Sequence, residues 1–166
     1  MDDVGYCPPR KLTDVHANGL MFHSYAKAYR LTGLESLREM TGKLASGMGW
    51  GLLDSPIDFR DRNSVNSGQD GVCSLFGFLE LYEAGRNQVF LDSAISLGKR
   101  LLQECNVDGL ISSGSADGTT HIDSALPLAL LHVEAAKAGG RKELPAFYPN
   151  NTTFDPKIVI RKKAGG

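Results

Sequence analysis

The chain has 166 residues, of which 42% are hydrophobic, and its 18 lysines and arginines nearly balance its 19 aspartates and glutamates. This length is enough for one well-buried domain, because a domain of this size buries roughly two-thirds of the surface that its unfolded chain exposes. A formal net charge of −1 supplies no field that would attract a phosphate backbone, so we expect no nucleic-acid partner. No apolar run approaches the roughly 20 residues of a membrane-spanning helix, so we expect a soluble protein without a membrane partner.

The amino terminus and the cysteines bear on the compartment. The first residues lack both a basic and an apolar region, so no signal peptide is visible and the localisation stays open. A carbohydrate-active protein would be periplasmic or secreted. Cys7, Cys73 and Cys105 are odd in number and widely spaced, which fits neither a disulfide framework nor a CxxC metal site. Cys73 and Cys105 fall in apolar helical patterns and are predicted to be small core residues.

An internal repeat with a spacing of about 53 residues organises the chain. Residues 25–33 recur as residues 77–85 and again as residues 131–139. Each copy has a helical pattern that ends in glycine, the residue that most readily takes the left-handed conformation closing a helix. A second amphipathic stretch follows the first two glycines almost at once. The repeating unit is therefore a helix, a tight turn and a helix that returns antiparallel.

The third unit departs from this pattern. Pro145, Pro149 and Pro156 interrupt the stretch where a return helix would follow, so we predict an extended tail there. The sequence thus predicts an all-α fold of repeated antiparallel helical hairpins, with five helices and a short extended C-terminal tail. The predicted boundaries are residues 1–166 for a single domain, about 15–50, 70–105 and 122–140 for the repeats, and 141–166 for the tail.

Long connections at residues 48–69 and 106–120 separate the hairpins. If the helices alternate in direction, both connections lie at one end of the assembly, which we call the long-loop end, and the tight turns lie at the other. Loops positioned by a rigid scaffold often carry function, so the long-loop end is the candidate functional face. The first helix of each hairpin begins there, and its unpaired N–H groups and positive dipole end favour an anionic ligand.

The densest ionisable group on this face is Asp58-Phe59-Arg60-Asp61-Arg62. Arg60 and Arg62, with Asp61 between them and Asp70 at the start of the next helix, can bind a uronate whose carboxylate is clamped bidentately. Neutralising that carboxylate acidifies the proton on the adjacent carbon, which a lyase must remove. Alternatively, arginine–aspartate pairs hold the loop together.

A second constellation of ionisable residues lies just ahead of the third hairpin. His121 has an unperturbed pKa of about 6.5, so it can act as a base or, with Asp117 or Asp123, form half of a metal site. His16 occupies the equivalent place ahead of the first hairpin. Asp123 is also an ordinary N-cap for the helix that follows, and that role alone would explain it.

Two aromatic residues lie on or beside the first long loop. Trp50 and Phe59 can form a flat apolar platform on which a saccharide ring stacks. Alternatively, Trp50 is a core anchor. No GxGxxG, P-loop, GxSxG or HExxH spacing occurs, so a nucleotide-dependent or serine-hydrolase activity has no motif to support it.

The helix pairs resemble a known superfamily. Residues 79–84, Leu-Glu-Leu-Tyr-Glu-Ala, followed by residues 90–94, Phe-Leu-Asp-Ser-Ala, look like the α/α-toroids, which include six-hairpin glycosidases, sugar epimerases and several polysaccharide lyases. Residues 108–124 and 148–156 further resemble bacterial proteins of the pectate-lyase-like kind. The resemblance covers about residues 15–140 and bears on fold more than on chemistry, because this fold hosts unrelated reactions.

This resemblance implies a carbohydrate-active domain that binds an acidic polysaccharide or oligosaccharide at the long-loop end. The implied activity is pectate or polyuronate cleavage by β-elimination, in which Arg60 or Arg62 neutralises the carboxylate and His121 or an arginine is the base. No motif specifies a cofactor, so the cofactor stays unknown and calcium stays open. The alternatives are a non-catalytic helical-repeat binding module, an inactive toroid fragment, and a relative of glycoside hydrolases or sugar epimerases.

The number of hairpins leaves a further question open. The resemblance calls for about six hairpins around the cleft, and the repeat supplies about three. Either the toroid is partial with a half-built cleft, or another chain completes it. An open array would expose apolar helix faces and favour a homo-oligomer.

Overall fold

The computed structural model describes residues 17–57, 59, 68–107, 110–111, 124–140 and 144–148. Within them the chain forms two helical hairpins and a fifth helix, which confirms the predicted all-α fold of repeated helical hairpins. A two-residue antiparallel β-hairpin directly follows the fourth helix. The elements are α1 (Gly19–Thr32), α2 (Glu35–Gly47), α3 (Gln69–Gly85), α4 (Gln88–Cys105), β1 (Asn106–Val107), β2 (Leu110–Ile111) and α5 (Leu126–Lys137).

Both hairpins are antiparallel, as their contacts far from the tight turns show. A Cβ added to Gly47 at the end of α2 would lie 3.1 Å from the Cβ of Ala17, just ahead of α1. In the second hairpin, a Cβ added to Gly98 of α4 would lie 3.4 Å from the side chain of Leu75 in α3. The starts of α1 and α3 and the ends of α2 and α4 are therefore on the side of the molecule opposite the tight turns.

The first helices of the two hairpins, α1 and α3, pack side by side and parallel. The backbone N–H of Gly19 donates to the Asp70 carboxylate at 2.6 Å, and the Arg30 guanidinium bonds the Glu80 carboxylate near the other end of the helices. These pairs are 51 and 50 positions apart, close to the repeat spacing. Consequently, the connection between α2 and α3 leaves and returns at the predicted long-loop end.

A glycine lets α1 and α3 approach closely. A Cβ added at Gly77 would lie 2.6 Å from a ring carbon of Phe22, which is too close for any side chain to fit without movement. The Phe22 ring instead fills this space and contacts Phe78 with ring centroids 4.9 Å apart. Residues 71–81 of α3 are all buried. Helix α3 is thus the centre of the core, with α1, α4 and α5 packed around it.

The ends of the helices confirm one part of the repeat prediction and correct another. Gly33 (φ 70°) follows α1 and Gly139 (φ 79°) follows α5 in the left-handed conformation. In the second copy, however, Gly85 is still helical, and Arg86 (φ 54°) takes the left-handed position. The Arg86 N–H donates to the Tyr82 carbonyl at 2.6 Å, and its guanidinium lies 5.2 Å from the Tyr82 ring centroid. These contacts offset the cost of a non-glycine residue in this conformation.

Residues 144–148, which we call the strap, run across the helices instead of forming one. The Phe147 ring stacks on Phe76 of α3, with centroids 4.1 Å apart and planes at 6°, and lies 5.6 Å from the ring of His23 in α1. In α5, His132 Nε2 lies 2.9 Å from the Pro145 carbonyl oxygen. The strap therefore contacts all three of these helices. None of the described helices combines the length and the apolar character needed to cross a membrane.

Candidate functional site

The long-loop end is organised by side chains that bond the first turn of α1. Asn18 accepts a hydrogen bond from Met21 N at 2.9 Å, and Asp70 Oδ1 accepts one from Gly19 N. Asp70 therefore lies at the predicted end, where its carboxylate joins two neighbouring helices. Because two side chains already satisfy N–H groups of α1, this helix start offers less to an anion than the sequence suggested.

Trp50 and Phe59 do not form a surface platform. Their residues are 3% and 0% exposed, and their rings meet edge to face with centroids 5.4 Å apart, next to Phe78. The stacking interpretation of these two residues is wrong, and the core-anchor alternative is correct for Trp50. Trp50 Nε1 has no hydrogen-bond acceptor among the described residues, which costs stability. Burial of the large aromatic ring outweighs this cost.

The remaining predicted site residues fall outside the part of the chain that the structure describes. The two arginines and the histidine predicted to be catalytic therefore keep the status of predictions, and so do the predicted saccharide contacts on the same loops. These residues are Arg60, Arg62, His121, His16, Asp61, Asp117 and Asp123. Among the described residues, no group of three or more His, Cys, Asp or Glu side chains is arranged to hold a metal ion.

The backbone that leads into the arginine-rich segment is firmly anchored. Arg100 of α4 donates to the Phe59 carbonyl oxygen at 2.6 Å and to the Glu104 carboxylate at 2.7 Å. Beside this anchor, a groove of about 400 Å³ lies between residues 56–57 and α4, and its charged lining residues are Asp92, Lys99 and Arg100. A groove that holds both cations and a carboxylate therefore adjoins the residue that immediately precedes Arg60 in the chain.

Sequence reasoning missed the ion pair on α1 and α3. Glu80 is 7% exposed, and its partner Arg30 keeps a third of its side chain in solvent. A carboxylate this buried needs a charged partner or hydrogen bonds to stay ionised. The detectable signal was a separation of 50 residues, which places two opposite charges at the same level of neighbouring repeats. His23 and His132 are buried within their helices.

The two described cysteines are core residues, as predicted. Cys73 is 1% exposed and Cys105 is 2% exposed. Burial, helped by the charge of Asp70, raises the pKa of the Cys73 thiol to about 11, and burial likewise raises the pKa of Cys105. A thiol must lose its proton to act as a nucleophile, so neither cysteine provides one at neutral pH.

Comparison with known protein families decides the broader class. Residues 3–157 match the model of a family described as periplasmic pectate lyase. The chain belongs to this family. No curated protein matches it in a separate search. The match confirms the pectate-lyase-like resemblance, whereas the closure of the helices into a toroid stays a prediction.

Membership of the periplasmic pectate lyase family indicates the general functional class of the helical hairpins. The chain is polysaccharide-lyase-like, and its expected substrate class is a polysaccharide. The match spans both long connections as well as all five helices. The loop residues predicted from the sequence therefore lie within the matched part, with the anchored Phe59 beside them.

Proposed function

We propose that this chain acts on pectate or a related polyuronate, and that it binds the acidic saccharide at the long-loop end and cleaves it by β-elimination. The observation that carries the proposal is the family match, because residues 3–157 include every predicted site residue. The loop residues Arg60 and Arg62 suit a uronate polymer, because such a polymer is an anion. The alternative is a module that binds the saccharide without cleaving it, and the experiment below distinguishes the two.

The reaction needs two operations on the uronate. An arginine, Arg60 or Arg62, pairs with the carboxylate and stabilises the negative charge that develops on it. A base, His121 or an arginine in its neutral form, removes the proton from the carbon next to that carboxylate. The electron pair of the broken C–H bond forms a carbon–carbon double bond, and the glycosidic oxygen leaves and takes up a proton.

The groove beside Phe59 supports this location. Its α4 wall carries the cation Lys99 as well as the carboxylate Asp92, and the hydrogen bond from Arg100 to the Phe59 carbonyl oxygen fixes the backbone where the arginine-rich segment begins. A scaffold that holds a loop at a defined point lowers the entropy lost when the loop binds a ligand. This anchoring favours Arg60, the next residue in the chain, as the carboxylate partner.

The decisive experiment incubates the protein with polygalacturonate and follows the ultraviolet absorbance of the unsaturated product. We expect activity in the wild type and at least a hundredfold loss of kcat/KM in Arg60→Gln, because removing a donor to a developing anion costs about 3 kcal/mol. The matched control is Arg86→Gln, which removes an exposed arginine at the tight-turn end. It should keep wild-type kinetics.

Two results would contradict the proposal. A flat trace for the wild type, with and without added calcium, would remove the lyase activity and leave binding alone. Activity that is indifferent to Arg60→Gln and Arg62→Gln would show that other residues neutralise the carboxylate. Calcium is included because the sequence leaves a calcium requirement open, and restoration of activity by calcium after chelation would establish such a requirement.

Two coarser expectations accompany the activity. A periplasmic or secreted location suits an enzyme that acts on an extracellular polymer, in agreement with the description of the family. Association of two copies to extend the helical array is a separate proposal. It is motivated by exposed leucines such as Leu31 (66%) and Leu131 (51%), and the molar mass in solution tests it.

A further inference from the structure

The strap ends in an aromatic residue that the fold leaves in solvent. Phe147 is stacked on Phe76, and Pro145 is bonded to His132, so the strap backbone is held on both sides of residue 146. Tyr148, the next residue, is nonetheless 73% exposed. A large aromatic side chain that is held at its backbone and exposed at its ring is a typical surface for stacking a sugar.

Lys27 of α1 reaches this ring. Its Nζ lies 4.4 Å from the centroid of Tyr148, within the range of a cation–π contact. Such a contact sets a positive charge beside the ring, whose backbone is already held by the strap. Because most of the Tyr148 side chain remains in solvent, the ring still has surface available for a ligand.

Arg30 adds a second cation on the same side of α1. Residues three positions apart are neighbours on one face of a helix, so Arg30 and Lys27 lie one turn apart. Glu80 bonds Arg30 through Nε, and no other described residue bonds this guanidinium. Its two terminal nitrogens can therefore engage a carboxylate bidentately, while the buried Glu80 holds the group in place.

We propose that Tyr148, Lys27 and Arg30 form a binding subsite for one uronate residue, with the sugar ring on Tyr148 and its carboxylate between Lys27 and Arg30. The ligand class rests on the proposed function. The location does not, because these residues lie on the second half of α1 and on the strap, away from the long-loop end. The subsite would hold an acidic saccharide at a distance from the predicted cleavage residues and so extend the contact with a long polymer.

The test measures binding by calorimetry with an oligogalacturonate and with its methyl ester, which has the same rings without the charges. Lys27→Gln should weaken binding of the acidic oligomer about tenfold and leave the ester unchanged. Tyr148→Ala should weaken both ligands, because stacking does not depend on the carboxylate. Both side chains are on the surface, so the fold should persist, which far-ultraviolet circular dichroism checks. The matched control is Lys43→Gln on the exposed side of α2.

The outcomes separate this subsite from the proposed lyase activity. One result overturns the subsite alone. In it, the wild type binds the acidic oligomer and Arg60→Gln weakens this binding, but Lys27→Gln and Tyr148→Ala change the affinity by less than twofold. Absence of any wild-type binding overturns the subsite together with the proposed function. An equal loss for acid and ester in Lys27→Gln also contradicts the subsite, because it assigns no carboxylate to this lysine.

Discussion

Helix α3 contacts two of its three neighbours, α1 and α5, in different ways. Against α1, residues of the two helices make the close contact: Gly77 admits Phe22, and an ion pair and a carboxylate cap join their ends, while Phe147 of the strap lies beside His23. Against α5, Phe76 meets His132 edge to face, with ring centroids 5.2 Å apart, and the strap covers both. The close approach of α1 and α3 is intrinsic to the repeat, whereas the strap, which stacks on α3 and bonds α5, comes from outside it.

This difference assigns stability to the α1–α3 contact and ligand binding to the strap. The α1–α3 contact is close-packed, and disturbing it should affect the whole fold. The strap is a short segment without regular structure, and such segments open at lower free energy than core helices. A binding residue such as Tyr148 is better placed on the second kind of element, because a change there need not unfold the first.

The largest expected effect is on the free energy of unfolding when the same truncation is made in each contact. Phe22 is 0% exposed, so Phe22→Ala should cost about 4 kcal/mol. Phe147 is only partly buried, so Phe147→Ala should cost about 2 kcal/mol or less. Urea denaturation measures both values. A loss for Phe147→Ala as large as that for Phe22→Ala would show that the strap is part of the core.

The sequence predicts the intrinsic contact better than the strap. Five helices, antiparallel hairpins and the closing Gly33 follow from periodicity and glycine placement, which are local signals. Phe147 on Phe76 joins residues 71 positions apart without any pattern that relates them. Trp50 also shows that local sequence does not determine long-range packing. A tryptophan beside a loop is equally compatible with a surface platform and with a core anchor until the packing around it is known.

The next effect concerns Gly77, whose missing side chain lets α1 and α3 approach closely. Gly77→Ala should destabilise the protein by about 2 kcal/mol, since the added methyl group overlaps Phe22 and overpacking outweighs the gain in helix propensity. The matched control is Gly85→Ala in the same helix, where a Cβ would meet nothing within 4 Å. It should be neutral or slightly stabilising. Equal midpoints of thermal unfolding for the two variants would contradict the close approach.

The smallest effect tests the burial of α3, the helix that both contacts share. Burial raises the pKa of the Cys73 thiol from its ordinary value of 9.0 to about 11. The folded state therefore holds this proton more tightly than the unfolded state. The resulting stabilisation is complete below pH 9 and is lost as pH rises from 9 towards 11. Between pH 8 and pH 10 the wild type should lose roughly 1 kcal/mol more than Cys73→Ala, as measured by urea denaturation.

A second readout distinguishes this proton linkage from general alkaline weakening. The native thiol should react with a disulfide reagent at pH 8 far more slowly than the unfolded chain, because the thiolate is the reactive form and the sulfur is buried. Fast reaction in Phe147→Ala but not in the wild type would mean that the strap alone shields α3. Slow reaction in both would mean that α1, α4 and α5 keep the thiol buried when the strap contact is weakened, as the comparison of the two contacts requires.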